Sequence, residues 1–267
     1  MIHSLVKTLA AAVAAVLALL LVVVRGDGGG DDPRPAAPES GGEAPRAFFD
    51  RYLEADGRVV RRDQGGDTVS EGQAYAMLLA VAEGDERRFS TVWEWAQAHL
   101  QRDDALLSWH WADGRVTDRS SAADADLDAA RALLAAGKRF SRPAFTEAGR
   151  RLARAILDHE TAEADSRLAL LAGPWATDEG VLNPSYFAPC AYADLAEGTG
   201  DDRWLRLQDD TDDLVTPLTG AGRLPPDWAR LTGAGIEATG APDGSNPPRY
   251  GPDAARLPIR LAEDCSG

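Results

Sequence analysis

Thr68-Val69-Ser70-Glu71-Gly72-Gln73-Ala74-Tyr75-Ala76-Met77-Leu78-Leu79-Ala80-Val81 is the stretch on which the reading of the fold turns. Ser70 reads as an N-cap, and Gln73 three residues later completes a capping box. Met77, Leu78 and Val81 then supply an apolar helical face. Glu71 falls in the first turn of the predicted helix, where the dipole favours a carboxylate by under about 1 kcal/mol. Gly72 does not suit a pure helix builder. Glycine costs about 1 kcal/mol in a helix interior and leaves room for another group to come close. A carboxyl fixed by packing beside such an opening is what a general acid needs.

Outward from this block the helical period recurs. Phe48, Phe49 and Tyr52 open a short helix that stops at Gly57, and Phe89, Val92, Trp93, Ala96 and Leu100 make another apolar stripe. Arg102 to Ala123 reads as a long loop carrying Trp109 and Trp111. A helix starts at Asp124 with Leu127, Ala130, Leu133 and Leu134 on its buried face, followed by one through Phe145, Ala148, Leu152 and Ile156. Further helices are predicted over Ser185–Leu195, around Trp204, and over Pro252–Leu261, the last interrupted by Pro258. Helices separated by long aromatic-bearing loops predict an all-α toroid whose loops build a groove.

Asp124, Asp126 and Asp128 alternate like the opening of a calcium loop, but Ala129 and Ala135 stand where that loop needs Gly and Glu, so an EF-hand is excluded. On a helix Asp124 and Asp128 share a face and Asp126 points away. The plain expectation is that Asp124 caps the helix and the others are solvated. In Arg249-Tyr250-Gly251-Pro252-Asp253-Ala254-Ala255-Arg256, Pro252 can start a helix that sets Asp253 and Arg256 one turn apart. An arginine there keeps a carboxylate ionised, the state of a general base; an ordinary surface ion pair is the alternative.

The net charge of −15 disfavours nucleic acid and leaves a neutral polysaccharide unaffected. His3, His99, His110 and His159 show no metal-ligand spacing, so no metal or cofactor is expected. Leu9 to Val24 is an unbroken apolar run after Lys7, read as a signal peptide or membrane anchor over residues 1–25. Residues 26–45 read as a flexible Gly/Pro/Asp-rich linker, and 46–267 as the folded domain. The domain is then expected outside the cytoplasm, secreted or anchored at the outer face of the membrane, as a monomer. Cys190 and Cys265 fit one disulfide or two buried thiols. Asp209-Asp210-Thr211-Asp212-Asp213 formally fits a DDxxD magnesium motif; a solvated acidic face explains it better.

Val69 to Met77, Ala122 to Asp126, Asn183-Pro184-Ser185-Tyr186-Phe187, Pro226-Asp227-Trp228 and Asp253-Ala254 with Arg256 and Pro258 occur in the order of glycoside hydrolase family 8, which this chain resembles. The resemblance implies an (α/α)6 barrel and an inverting endo-acting hydrolase of β-1,4-glucan, cellulose first, with xylan and chitosan as alternatives. It implies Glu71 as general acid, Asp253 as general base, and Asp124 beneath the sugar ring at the cleavage point. Tyr186 and Arg256 would position the base and its water, while Tyr75, Trp109 and Trp111 would contact substrate. Core packing is the competing reading for the tryptophans. A non-catalytic carbohydrate binder is the alternative for the chain. Three departures from the family pattern stand out: Ala123 lacks a hydroxyl, Pro252 replaces a tyrosine, and Asp253 lies close to Gly267. From the last, the barrel is expected to lack its closing helices and to leave an apolar seam beside Phe48, Phe49 and Tyr52.

Overall fold

The computed structural model describes residues 43–233 and 235–263. The apolar leader, residues 26–42 of the linker, and Cys265 lie outside the described residues. Helix α1 (Glu43–Tyr52) begins ahead of the domain start expected at Arg46. It is followed by α2 (Ser70–Glu83), α3 (Glu86–His99), α4 (Ala123–Arg139), α5 (Pro143–His159), α6 (Pro189–Thr199), α7 (Arg203–Thr219) and the short α8 (Leu257–Leu261).

The layering follows from which faces are apolar. Helices α2, α4 and α6 pack on one another in that order, and α3, α5 and α7 each pack outside the helix that precedes them. This alternation of inner and outer helices makes the fold an α/α barrel type. It explains why α2 and α4 are buried on most of their circumference while α3 and α5 bury one stripe. Alanine and glycine let the layers approach closely: a Cβ on Gly149 would lie 3.0 Å from the Leu134 side chain, and one on Gly137 only 2.1 Å from Thr146 Oγ1. Gly84 ends α2 in the left-handed conformation (φ 72°), its N–H returning to the Ala80 and Val81 carbonyls, and the Asp85 carboxylate at once caps α3 by accepting from Arg88 N.

Several local expectations are corrected. Ser70 and Gln73 do not form a capping box: Val69 precedes the helix in extended conformation and no side chain caps it. Gln73 is fully buried and serves tertiary contacts instead, accepting from Val59 N and donating to the Gly57 and Val92 carbonyls. The group close to Gly72 is Val59, whose Cγ1 lies 3.3 Å from the position a Cβ would take. The stretch 102–123 is not all loop. Strand β1 (Thr68–Val69) pairs antiparallel with β2 (His110–Ala112), which pairs with β3 (Arg115–Asp118). A second hairpin joins β4 (Thr161–Ala164) to β5 (Arg167–Leu170), and β6 (Val181–Leu182) pairs with the hairpin of β7 (Trp228–Thr232) and β8 (Gly235–Thr239).

The two late helices also differ from expectation. Pro184–Tyr186 is a 3-10 turn separate from α6, and Ala254–Arg256 is one that runs into α8. Pro258 sits in the first turn of α8, where its missing N–H costs nothing, so it helps start that helix rather than interrupt it. Of the residues named for the expected apolar seam, Phe49 and Tyr52 are covered, only 5% and 9% exposed with the Arg88 guanidinium over the Phe49 ring at 4.2 Å, while Phe48 is partly exposed. The Asp209–Asp213 run is structural. Asp210 accepts from Leu168 N (2.7 Å) and Asp213 pairs with Arg167 (3.0 Å), tying α7 to β5.

Candidate active site

Strand β1 delivers the acidic residue. Thr68 and Val69 pair with Trp111 and His110, and Ser70 N donates to the Trp109 carbonyl (3.0 Å), so the first turn of α2 is fixed against the β2 hairpin. Glu71 thereby meets the indole of Trp109, whose Nε1–H donates to Oε1 at 3.2 Å. The Ser70 hydroxyl lies 3.3 Å from Oε2. Each carboxyl oxygen thus has one neighbour that holds it in place, the indole on Oε1 and the hydroxyl on Oε2. Burial, then the neighbouring Asp124 charge, push the Glu71 pKa up to about 7. The carboxyl is thus a proton donor at neutral pH, as a general acid should be.

Asp124 opens α4. It is not the N-cap; Ala122 holds that position, and Asp124 Oδ1 accepts from its neighbour Ala125 N. Its other oxygen receives Arg256 Nη1 at 2.7 Å, with Asp124 only 2% exposed. Burial drives the Asp124 pKa upward and the Arg256 contact opposes it. The second nitrogen of Arg256 donates to Asp253 Oδ1 at 3.0 Å. One guanidinium therefore bridges the buried Asp124 and the half-exposed Asp253. Tyr186 lies under it, with Arg256 Cζ 5.5 Å from the ring centroid, and the Asn183 side chain fixes this turn by accepting from Ser185 N. Burial lifts the Tyr75 hydroxyl to about 12 in the field of Arg256 and Asp124. The structure thus gathers Glu71, Asp124, Arg256, Asp253, Tyr186 and Tyr75 into one cluster.

The tryptophans divide. Trp109 is 36% exposed and offers a ring face beside Glu71, as a sugar platform requires. Trp111 packs edge-on against Trp95 (5.6 Å) and His99 (4.8 Å) and is partly buried. Trp175, passed over in the sequence, is 44% exposed and held by its Nε1–H on the Ser121 carbonyl. Its Gly173-Pro174-Trp175 setting was the available signal, since a Cβ on Gly173 would lie 2.6 Å from the indole nitrogen.

Asp227 is a further functional residue that its Pro-Asp-Trp motif marked without giving a role. Its Oδ1 accepts from Gly251 N (3.0 Å) and Ala254 N (2.9 Å), which clamps the turn carrying Asp253. Gly251 is obligatory there, because a Cβ would sit 2.1 Å from Asp227 Oδ2.

Asp126 and Asp128 are both buried, against the expectation that they are solvated. Asp128 pairs with Arg260, while Asp126 faces the other way, as the helical period predicts, and accepts from Leu107 N. Near it Glu160, fully buried, accepts from the Ser121 hydroxyl at 2.6 Å. Asp126 Oδ2 and Glu160 Oε2 have no hydrogen-bond partner among the described residues. Burial pushes Asp126 well up and Glu160 to about 8. Unfolded, both ionise near pH 4, so folding takes up protons as pH rises above that; for Glu160 the window runs to about pH 8, and its contribution falls there by up to about 1.4 kcal/mol per pH unit. Melts are expected to show a lower Tm at pH 8 than at pH 5. Glu160→Gln, which keeps the acceptor for Ser121, should shrink that difference and raise Tm at pH 8. An unchanged pH slope would contradict the assignment.

Among the described residues no group of three or more His, Cys, Asp or Glu could hold a metal ion, and no helix is long and apolar enough to cross a membrane. The family model for glycosyl hydrolases family 8 matches residues 39–262, a span that takes in Glu71, Asp124, Asp227, Asp253 and Arg256. The chain belongs to that family. This family 8 chain is 36% identical over 234 residues to a probable endoglucanase of Novacetimonas hansenii, covering 84% of this chain and 67% of the relative. It is 31% identical over 220 residues to an endoglucanase of Cellulomonas uda, covering 79% of this chain and 60% of the relative. Among solved structures, the endo-beta-1,4-glucanase CMCax from Acetobacter xylinum superposes with a TM-score of 0.77 at 33% identity, covering 84% of this chain and 72% of that one. By family, the chain is a glycoside hydrolase.

Proposed function

We propose that this chain is an inverting endo-β-1,4-glucanase acting on cellulose, with Glu71 as general acid and Asp253 as general base. The observation that carries the reading is the arrangement around Arg256: a protonatable Glu71 near neutrality, and a half-exposed Asp253 held on the same guanidinium as buried Asp124. Cleavage with inversion needs one protonated and one ionised carboxyl about 6.5–9.5 Å apart, with a water between the base and the sugar. The Glu71 carboxyl gives its proton to the glycosidic oxygen as the bond breaks. Asp253 takes a proton from the water that attacks the opposite face of the anomeric carbon. Asp124, beneath the ring, stabilises its distorted form and developing positive charge. Trp109 stacks on a glucose and keeps Glu71 oriented. The endoglucanase relatives support the β-1,4-glucan substrate over xylan or chitosan. Retention of Glu71, Asp124 and Asp253 in one cluster speaks for an enzyme and against a mere carbohydrate binder.

The three inner–outer pairs α2–α3, α4–α5 and α6–α7 support the reading of an (α/α)6 toroid-type barrel that lacks its last helices. The site is read as working outside the cytoplasm, as a monomer, after a signal peptide or from a membrane anchor. A Cys190–Cys265 disulfide would suit that compartment. Cys190 is buried, and its Sγ lies 3.2 Å from the carbonyl of Glu263, two residues ahead of Cys265.

Proton NMR of soluble cello-oligosaccharides during hydrolysis is the test. Single displacement by water should release the new reducing end first as the α-anomer, relaxing later to the equilibrium mixture. First appearance of the β-anomer would rule out this mechanism, and the absence of reducing-sugar release from β-1,4-glucans would rule out the activity.

A further inference from the structure

Helix α4 and the segment around α8 are joined by three ion pairs in constant register. Arg256 pairs with Asp124 (2.7 Å), Arg260 with Asp128 (2.9 and 2.6 Å, both nitrogens), and Arg131 with Glu263 (3.2 Å). Each rung joins residues 132 apart in sequence. Residues 124, 128 and 131 form one row on α4, and 256, 260 and 263 repeat the same steps on the partner segment. The middle rung is the most enclosed, with both side chains only 1% exposed.

We propose that Asp128 and Arg260 are positioning residues for the reaction, setting the register in which Arg256 and Asp253 are presented to Glu71. The proposal rests on the assignment of Asp253 as the base. The five-residue α8 and the 3-10 turn before it are too short to hold their place through their own hydrogen bonds. The placement of Asp253 therefore depends on what anchors this segment: Asp227 ahead of it and the Arg260 fork behind it. Tyr75 stands one turn beyond Glu71 on α2 and lies in the field of Asp124, Arg256, Asp128 and Arg260 together. A fully buried ion pair is often replaceable by apolar residues without loss of stability, whereas a bidentate fork fixes geometry that apolar contacts do not.

The double variant Asp128→Leu with Arg260→Met tests this. It is expected to fold with a Tm close to that of the wild type, and to lose about 10–100-fold in kcat on soluble β-1,4-glucan with KM nearly unchanged, the scale of a misplaced reacting group. The same loss is expected on β-cellobiosyl fluoride. Its leaving group needs no proton from Glu71 but still requires water activated by the base. Arg260→Lys keeps the charge and loses the fork, and should show a smaller loss on both substrates. Should the double variant not fold, Arg260→Lys carries the comparison. A folded variant with kcat within twofold of wild type, a loss confined to KM, or a loss that vanishes on the fluoride would overturn the proposal. Wild-type protein inactive on every β-1,4-glucan would overturn it together with the reading it rests on, whereas an active wild type with unaffected variants would overturn this proposal alone.

Discussion

Glu71→Gln is expected to lower kcat on soluble β-1,4-glucan by about 10²–10⁴-fold, with KM close to wild type. The amide is isosteric and can still accept from Trp109 Nε1, so the first turn of α2 and its contact with the hairpin should survive. Only the transferable proton is lost. Two further readouts belong to the same prediction. Wild-type kcat should fall on the alkaline side near pH 7, where Glu71 ionises, and this limb should be missing in the variant. On a substrate with a good leaving group, such as β-cellobiosyl fluoride, most of the lost rate should return, because protonation of the leaving atom no longer limits. Steady-state kinetics showing near-wild-type turnover of the polysaccharide by Glu71→Gln would remove this residue from the mechanism.

Asp253→Asn should cut turnover by a comparable factor, about 10²–10⁴-fold, but the loss should persist on the fluoride. The two variants are thus told apart by substrate rather than by size of effect. The Asn side chain can still accept from Arg256 Nη2, and Asp227 still holds Gly251 and Ala254, so the turn itself should remain in place. What disappears is the carboxylate that takes a proton from water. Equal recovery of both variants on the fluoride would mean that Asp253 does not act as the base.

The helical architecture could be read from the chain because apolar residues recur at helical spacing in every long segment from Phe48 to Trp204. The same spacing set Asp124 and Asp128 on one face and Asp126 on the other, as observed. The β2–β3 hairpin carried a signal that went unused: Asp113-Gly114 joins the strands, and both residues have positive φ (52° and 74°), the signature of a tight hairpin turn. The capping box failed for a different reason. Ser70 and Gln73 fit the local pattern, but Gln73 gains more by satisfying three backbone groups of other segments than one helix end. The burial of Glu160 and Asp126 leaves no local trace, since it is set by segments far apart in sequence. Trp109 and Trp111 could not be separated by sequence alone. Two residues apart on a regular strand they would share a face, but Trp109 lies ahead of β2 and the register shifts between His110 and Trp111, so Trp111 turns to Trp95 while Trp109 meets Glu71.

Chain order has a consequence for when this site can exist. In a nascent chain leaving the ribosome amino end first, α2 and α4 emerge long before residues 253–260. Glu71 and Asp124 are then present without Arg256, which pairs with Asp124, and without Asp253. A buried Asp124 with no cation beside it is disfavoured, so the first turn of α4 cannot settle into its final enclosed state until Arg256 arrives. Closing a contact across 132 residues is also slow compared with forming neighbouring helix pairs. The cluster of Glu71, Asp124, Arg256 and Asp253 is therefore completed only after the helical scaffold around it has been synthesised.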